Sequence, residues 1–485
     1  MVRILIVGPD DQQASRWQTA LGRPVEYAAS LDTADLRHGD AVLLDLLTLR
    51  VGSSDAHLDD ELATSTLSEA ASKNPDAFWL LISPPVVQAA SLKLVRVLAK
   101  TLRGGSEATS IAVEPHAVDD ELGELSMWLA ELDRIAGIDI DTSATDLDDD
   151  EMRCVRRLLD DVDSAVLTPL SEGQGKARTF RVSCRVGGAL APLRVIKVGP
   201  AKTIQTEYAN YMQYVRLRLG DNRHPTLDSS DFWKAGEAAA LVYTFIVGQP
   251  RPLAEVMAAA DSSASVAELY SRVLANWLGA TTDKKQQLSA FVAEFLDDIT
   301  LDDAEVLWAE SAAEDDPEPP IPWLRDISSR DIEIDLPTVV AHGDIHGYNV
   351  LIDDASRPWL IDFYHTGVRS GLFDFSYAEA ALLLHRPVGR NHAAECTLKE
   401  LKEAEEKGNP LRPELAVIRD ASRSHWGATS EGLYHLARCC AALRRLRFGT
   451  TDNPRAKWVA HFAAVAASES NPEWERATTR PPIAF

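Results

Sequence analysis

The segment VAHGDIHGYNVLIDDASRPWLIDFYHTG, residues 340–367, is the strongest indication of the fold in this sequence. Two short apolar runs, VLI and WLI, flank a segment that is rich in turn-forming residues. This pattern predicts a loop, a strand, a turn and a second strand, with Asp362 at the end of the second strand. Such a hairpin is expected to gather the side chains of Asp344, Asn349 and Asp362 around one point.

These three polar side chains suit different chemical tasks. Mg²⁺ prefers oxygen ligands and usually keeps waters and substrate phosphates as its other ligands. We expect Asn349 and Asp362 to supply such oxygens, which leaves Asp344 to orient a hydroxyl group, as phosphoryl transfer requires. The alternative is a polar hairpin in which His342 and Asp344 merely pair. That alternative does not explain the spacing of Asn349 and Asp362.

The motif HGD-x-x-x-x-N, followed by two apolar residues and D-F, resembles the catalytic segment of the aminoglycoside phosphotransferase and choline kinase-like enzymes, which are distant relatives of the protein kinases. The resemblance implies that Asp344 is the catalytic aspartate, that Asn349 and Asp362 bind the metal, and that His342 braces the loop. A three-residue piece of the motif is a weak signal, whereas the whole spacing with both strands is a strong one. The HGD-x-H-x-x-N form also resembles the ternary complex associated domains, which are kinase-like domains of bacterial conflict and signalling systems.

A second group of candidate residues lies upstream of the hairpin. Two predicted strands, VLTPL and TFRVSCRV, are joined by SEGQGKAR, where Gly173 and Gly175 let a backbone approach phosphates closely. A third predicted strand, LRVIKV, carries Lys197 inward, and Glu207 follows ten residues later on a predicted helix. Lys197 and Glu207 resemble the kinase ion pair that holds the nucleotide phosphates. The alternative is two unrelated surface charges.

Three further segments complete the predicted kinase-like domain. Residues 238–247 are predicted as the hinge strand between two lobes, and residues 302–322 as an acidic, proline-rich loop. Asp374 resembles an aspartate that supports the catalytic loop in the family, but it is equally consistent with a helix N-cap. A late helix carries four arginines that either clamp an acidic segment of this chain or form a solvated face: Arg438, Arg444, Arg445 and Arg447.

The N-terminal part has the pattern of an α/β domain. Four apolar runs, at residues 2–7, 41–44, 78–82 and 110–113, alternate with helical stretches. This alternation predicts βαβ units on a parallel sheet, whose functional side chains lie at the carboxyl ends of the strands.

This part resembles a response-regulator receiver domain of the flavodoxin type. Asp45 occupies the phosphoacceptor position, Asp10 and Asp11 lie near the acidic pair, and Ser83 lies where the switch hydroxyl would be. Glu114 stands where receivers normally have a lysine, and a carboxylate cannot replace that cation beside a phosphoryl group. We therefore favour a degenerate receiver that docks a protein partner or self-associates over a phosphorylated switch.

The composition is that of an ordinary soluble protein, with 45% hydrophobic and 25% charged residues among 485. A net charge of −25 argues against nucleic-acid binding; it suits a cationic partner, although a solvated acidic surface is the simpler interpretation. Five cysteines, two of them adjacent, do not form the pattern of a disulfide framework, so reduced thiols and a cytoplasmic location are expected. We expect neither a membrane span nor a signal peptide.

The predicted organisation is a receiver-like flavodoxin-type domain (1–135), an acidic linker with a short helix (136–165), and a two-lobed α+β kinase-like domain (166–248 and 249–485). The resemblances imply an ATP- and Mg²⁺-dependent phosphotransferase whose hydroxyl acceptor, a small molecule or a protein, is not identified. One alternative is a pseudokinase scaffold that binds nucleotide without turnover; the presence of all five kinase-type residues counts against it. Another is an adaptor that works through the receiver-like module, against which Glu114 counts.

Overall fold

The structure is a computed structural model that divides into two compact units, residues 1–208 with 226–245, and residues 209–225 with 246–485. The residues that it describes are 4–8, 15, 18–19, 25–28, 41–45, 65, 67, 69, 78–82, 110–113, 127, 130, 133–170, 177–219, 223–228, 232–246, 248, 250–259, 261–311, 318–384, 413–427, 431–448 and 454–477. No helix among these residues is long and apolar enough to cross a membrane.

A five-stranded parallel sheet lies at the start of the first unit. Its strands are β1 (Ile4–Val7), β2 (Val25–Ala28), β3 (Ala41–Asp45), β4 (Phe78–Ile82) and β5 (Ser110–Val113). They pair in the order β2-β1-β3-β4-β5, which is an order of doubly wound α/β sheets. Four of them coincide with the predicted apolar runs. The receiver identity stays a prediction, since its diagnostic residues lie outside the described part of the chain: Asp10, Asp11, Ser83 and Glu114.

The second sheet of this unit is mixed. Its strands are β6 (Asp139–Asp141), β7 (Ser164–Pro169), β8 (Arg178–Val186), β9 (Ala189–Leu190), β10 (Arg194–Pro200), β11 (Trp233–Ala235) and β12 (Ala238–Thr244). The order is β11-β12-β10-β8-β7-β6, with β9 paired to β8. The helix α2 (Ala201–Asn210) follows β10. β10 is flanked by antiparallel strands on both sides, with Lys197 opposite Leu241 of β12 and Thr179 of β8.

Residues 136–165, the predicted acidic linker with a short helix, do contain such a helix, but the segments on either side of it are strands of this sheet and not a linker. β6 pairs in parallel with β7, and the helix α1 (Asp149–Leu158) buries Cys154 in the core beneath the sheet. Asp148 and Glu151 form a capping box, in which each side chain accepts a hydrogen bond from the backbone N–H of the other. The acids that suggested a linker therefore satisfy the free N–H groups at the start of a helix and suit its dipole.

The second unit is mainly helical. Its helices are α3 (Leu253–Ala259), α4 (Ser263–Glu268), α5 (Ala275–Gly279), α6 (Leu288–Leu296), α7 (Leu301–Ser311), α8 (Pro320–Ser329), α9 (Phe373–Leu384), α10 (Pro413–Trp426), α11 (Glu431–Leu446) and α12 (Pro454–Ala477), with π-helical turns at Tyr211–Val215 and Leu269–Val273. Two antiparallel sheets accompany them, β13-β16-β17 and β14-β15-β18. Their strands are β13 (Arg251–Pro252), β14 (Thr282–Gln287), β15 (Glu333–Ala341), β16 (Val350–Ile352), β17 (Pro358–Leu360) and β18 (Gly367–Ser370).

The predicted loop at residues 302–322 is largely helical, because α7 and α8 cover most of it. At the start of α7, the Thr300 hydroxyl accepts a hydrogen bond from the Asp303 N–H, and the Asp303 carboxylate accepts one from the Thr300 N–H. Pro320 occupies the first turn of α8, where its missing N–H has no helical partner to lose. Among the described residues of this segment, the acids of α7 and the prolines at the start of α8 therefore belong to helices.

The arginines of α11 face acidic side chains of the same chain. Arg438 is fully buried, with its Nε 2.9 Å from Glu379 Oε2 and its Nη1 2.9 Å from Glu469 Oε2. Arg444 Nη2 lies 2.8 Å from Asp297 Oδ2. The two alternatives for this helix were a clamp on an acidic segment and a solvated face. Arg438 and Arg444 fit the first, because both are buried against acidic side chains of the same chain.

Candidate active site

The predicted catalytic loop, residues 342–349, lies between β15 and β16. β16 and β17 form the predicted hairpin, with Val350 opposite Leu360. Gly343 has φ +81°, and a Cβ at this position would overlap the carbonyl oxygen of His365. Glycine is required here for both reasons, since it tolerates positive φ and permits a close approach of two backbones.

The Asp344 carboxylate receives hydrogen bonds from two sides. Tyr377 Oη donates to Oδ1 at 2.6 Å, and Asn349 Nδ2 donates to Oδ2 at 3.2 Å. His346 Nε2 lies 3.5 Å from Oδ2. Burial acts to raise the pKa of Asp344, but His346, the Tyr377 hydroxyl and the charge of Arg445 outweigh it and hold this pKa well below its usual range. Asp344 is therefore ionised at neutral pH.

Tyr377 and Arg445 were missed in the sequence analysis as neighbours of Asp344. Tyr377 follows Asp374 by three residues on α9, so the two side chains share one face of that helix. This spacing is a signal that could have identified Tyr377. Arg445 Nη1 donates to Tyr377 Oη at 2.7 Å and lies 3.9 Å from Asp344 Oδ1. No local pattern distinguishes Arg445 from its neighbours on α11.

Asp374 supports the catalytic loop. Its carboxylate is 4% exposed and accepts hydrogen bonds from the backbone N–H groups of His342, at 2.7 Å, and Gly343, at 2.9 Å. Burial raises the pKa of Asp374 to about 6, against the effect of these two bonds. Two roles were predicted for Asp374, support of the loop and a helix N-cap. The structure shows the first, since the carboxylate accepts hydrogen bonds from the loop backbone.

His342 connects the loop to the segment that follows β17. Its Nε2 lies 3.0 Å from the carbonyl oxygen of Ile361, and its ring packs against Phe363 with centroids 5.5 Å apart. Burial lowers the pKa of His342 to about 4, although the charges of Asp344 and Asp362 oppose this effect. The ring is therefore neutral at pH 7 and carries its proton on Nε2, because a carbonyl oxygen can only accept.

Asp362 lies two residues beyond β17 in the left-handed backbone region, with φ +66°. This conformation is uncommon for a residue other than glycine and persists where the surroundings fix the backbone. The next residue, Phe363, packs against Tyr211 and His224 with centroids 5.8 and 6.3 Å apart. Asn210 Nδ2 donates to the Phe363 carbonyl at 3.2 Å. These contacts hold the segment that carries Asp362.

The donors at the predicted metal position are an amide and a carboxylate. Asn349 is buried, and its amide nitrogen donates to Asp344, so its oxygen is the atom left for a cation. Across the part of the chain that the structure describes, no group of three or more His, Cys, Asp or Glu residues is arranged to hold a metal. An Asn–Asp pair fits Mg²⁺, which takes few protein ligands and completes its shell with waters and phosphates.

In the first unit, Lys197 and Glu207 form a buried ion pair. Lys197 Nζ lies 2.6 Å from Glu207 Oε2, and the two residues are 8% and 1% exposed. Tyr243 Oη donates to Glu207 Oε1 at 3.0 Å. The pair joins β10 to α2, so two unrelated surface charges do not describe it. Gly173 and Gly175 lie outside the described residues.

Several solved structures are similar to this chain, and three of them are compared with it by identity, coverage and TM-score. An aminoglycoside phosphotransferase in complex with ADP and hygromycin B is 14% identical, over 65% of this chain and 97% of that chain, with a TM-score of 0.37. An amicoumacin kinase in complex with AMP-PNP, Ca²⁺ and its ligand is 11% identical, over 72% and 96%, with a TM-score of 0.38. A choline kinase from Cryptosporidium parvum Iowa II is 10% identical, over 73% and 96%, with a TM-score of 0.34.

A search of curated proteins found no match to this sequence. Residues 235–385 match the family described as the phosphotransferase enzyme family. The matched segment spans less than one third of the chain and contains Asp344, Asn349 and Asp362. This segment of the chain is therefore similar to a phosphotransferase domain.

Proposed function

We propose that this chain is a phosphotransferase that moves the γ-phosphoryl group of ATP to a hydroxyl acceptor in the presence of Mg²⁺. The observation that carries the proposal is the ionised Asp344, held beside Asn349 inside the segment that matches the phosphotransferase family. A carboxylate that is charged at neutral pH can accept a hydrogen bond from an acceptor hydroxyl and so orient it.

In the proposed step, the acceptor oxygen forms a bond to the γ-phosphorus while the bond from that phosphorus to the β,γ-bridging oxygen breaks. ADP leaves with the electron pair of the broken bond, and the hydroxyl proton passes to Asp344 and then to solvent. Because the pKa of Asp344 is low, this residue contributes mainly by orienting the hydroxyl. This role suits the loose transition state of phosphoryl transfer, where positioning and electrostatics supply most of the catalysis.

The remaining predicted residues hold the nucleotide and its cation in this proposal. Asn349 and Asp362 offer hard oxygen donors, and Mg²⁺ bound there neutralises charge on the phosphates. Lys197 contacts the nucleotide phosphates with its ammonium group. Glu207, which Tyr243 holds by a hydrogen bond, fixes that ammonium group in its buried position.

The proposal is tested with the full chain, ATP, Mg²⁺, and pools of hydroxyl-bearing metabolites and candidate protein partners. Mass spectrometry should find one added phosphoryl group on an acceptor, and this product should be absent with Asp344→Asn. Mg²⁺ and ATP together should also raise the unfolding temperature more than either alone, since a ligand that binds only the folded form adds about 2.7 kcal/mol to the free energy of unfolding at a hundredfold excess over its Kd. Stabilisation without transfer to any acceptor would favour the scaffold alternative, and no joint stabilisation would contradict a nucleotide site.

We also propose that residues 1–135 form a receiver-like docking module that is not phosphorylated. The parallel order β2-β1-β3-β4-β5, with Asp45 at the carboxyl end of the central strand, supports a receiver-like architecture. Glu114 in place of the usual lysine supports the absence of phosphorylation. Intact-mass analysis after incubation with a small phosphodonor and Mg²⁺ should show no adduct. An adduct that disappears in Asp45→Ala would make the module a true switch.

A further inference from the structure

We propose that Tyr377, with Arg445 behind it, is a positioning residue that holds the Asp344 carboxylate in place for the acceptor hydroxyl. This inference rests on the proposed phosphotransferase function and identifies what fixes its central side chain. Neither residue belongs to the HGD motif. They reach Asp344 from α9 and α11, so the catalytic loop is completed by two helices that lie far from it in the sequence.

The direction of the hydrogen-bond chain follows from the donors present. The Arg445 guanidinium can only donate, and its Nη1 lies 2.7 Å from Tyr377 Oη. The tyrosine hydroxyl has a single proton, which is therefore directed to Asp344 Oδ1 at 2.6 Å. The chain runs from Arg445 through Tyr377 to Asp344, and each bond polarises the next. A bond to a charged acceptor is stronger than one between neutral groups.

The Tyr377 ring has little freedom to move. It is 1% exposed, and it stacks on Phe373 with centroids 5.9 Å apart. The guanidinium carbons of Arg444 and Arg445 lie 4.9 and 5.3 Å from its centroid. Since the ring is enclosed in this way, the hydroxyl holds one position and fixes the plane of the Asp344 carboxylate.

The contacts leave room for an acceptor on the same carboxylate. Oδ1 of Asp344 accepts from Tyr377, and Oδ2 accepts from Asn349. Each carboxylate oxygen has two lone pairs, so two bonds occupy only part of the acceptor capacity of this group. The position of Tyr377 therefore determines which lone pairs of the Asp344 carboxylate remain available to the acceptor hydroxyl, although Tyr377 itself does not contact the substrate.

The experiment compares wild type with Tyr377→Phe and a matched control, Tyr434→Phe. Tyr434 is also buried and donates to a carboxylate, Glu379 Oε2 at 2.9 Å, in a contact that does not involve Asp344. We expect Tyr377→Phe to lower kcat about tenfold to a hundredfold, as loss of one bond to a charged group does, with Mg²⁺–ATP affinity within twofold of wild type. Tyr434→Phe should leave both kcat and Mg²⁺–ATP affinity unchanged.

Two further measurements separate this inference from the proposed function. Arg445→Met should lower kcat in the wild type and lower it less in Tyr377→Phe, where only the direct charge of Arg445, 3.9 Å from Asp344 Oδ1, remains to be lost. Independently of activity, ¹⁹F NMR of protein labelled with 3-fluorotyrosine reports the surroundings of the Tyr377 ring at neutral pH, and the resonance is assigned by its loss in Tyr377→Phe. Because Tyr377 Oη donates a hydrogen bond to Asp344 Oδ1, Asp344→Asn should shift this resonance.

The outcomes are distinct. Equal losses of kcat in Tyr377→Phe and Tyr434→Phe, or an unchanged kcat in Tyr377→Phe, would overturn the positioning role. If the wild type transfers no phosphoryl group, the proposed function fails, and the ¹⁹F spectrum still decides whether Tyr377 contacts Asp344. A Tyr377 resonance that is unaffected by Asp344→Asn overturns the inference, and a shifted resonance supports it.

Discussion

Replacement of Asp374 by asparagine separates the charge of this side chain from its shape. The carboxylate is buried, and its pKa is raised to about 6, compared with about 3.9 in an unfolded chain. Because the folded pKa is the higher one, the stability gained from binding this proton is fully present below about pH 4 and is lost as the pH rises through 6. The full loss is about 3 kcal/mol, of which about 1 kcal/mol falls between pH 5 and pH 7.

Asp374→Asn cannot titrate, so its stability relative to wild type should rise by about 1 kcal/mol from pH 5 to pH 7. A constant offset is superimposed on this trend. Asparagine has one acceptor oxygen where aspartate has two, so either the His342 or the Gly343 N–H loses its partner. One unsatisfied buried N–H costs about 1–3 kcal/mol, which makes the variant less stable at pH 5.

The assay is hydrogen exchange of the peptide that contains His342 and Gly343, converted to an opening free energy at pH 5, 6 and 7. Asp420→Asn, an exposed site on α10, is the matched control and should show no pH-dependent difference. If the difference between Asp374→Asn and wild type is the same at all three pH values, burial does not raise the pKa of Asp374. If the exchange of this peptide is unchanged, Asp374 is not the acceptor for the loop.

Three other substitutions test separate parts of the chain. His342→Gln should remove an acid sensitivity of about 2 kcal/mol between pH 7 and pH 5, because the neutral ring stabilises the fold above pH 6.5 and this stability is lost as the pH falls towards 4; urea unfolding at pH 5 and 7 measures it. Arg438→Met leaves Glu379 short of a partner and should cost about 3 kcal/mol in the same assay, whereas a cost near zero would contradict the buried ion pair. Lys197→Met should weaken Mg²⁺–ATP binding at least about tenfold by calorimetry, and unchanged binding would exclude a phosphate contact.

Local patterns in the sequence were sufficient for the hairpin and for the Lys197–Glu207 pair. In both cases a short apolar strand carries or precedes the polar residue, so the strand pattern fixes the position of the side chain. Strand β2 was missed because its sequence, VEYA, has only one fully buried side chain and does not form an apolar run. The acids before α1 suggested a linker because a capping box and a solvated linker have similar compositions.

The surroundings of Asp344 could be predicted only in part from local patterns. The spacing of Tyr377 from Asp374 on α9 was a usable signal, but the contact joins residues 33 apart in the sequence and depends on how α9 packs against the loop. The sequence alone left Asp374 with two roles, because helix-start composition does not reveal where a carboxylate points. Likewise, the positions of the arginines on α11 do not indicate which of them contacts Tyr377 and which pairs with Glu379.

In the proposed site, Asp344 orients the acceptor and Asp362 binds the cation. Parallel assays of Asp344→Asn and Asp362→Asn separate these two roles. The measurement is γ-phosphoryl transfer from labelled ATP, or slow ATP hydrolysis where no acceptor is known, together with calorimetric Mg²⁺–ATP affinity. Asp344→Asn should keep its affinity and lose turnover by about 10² to 10⁴, or about 3–5 kcal/mol of barrier, whereas Asp362→Asn should lose both. Full turnover in Asp344→Asn would contradict the account.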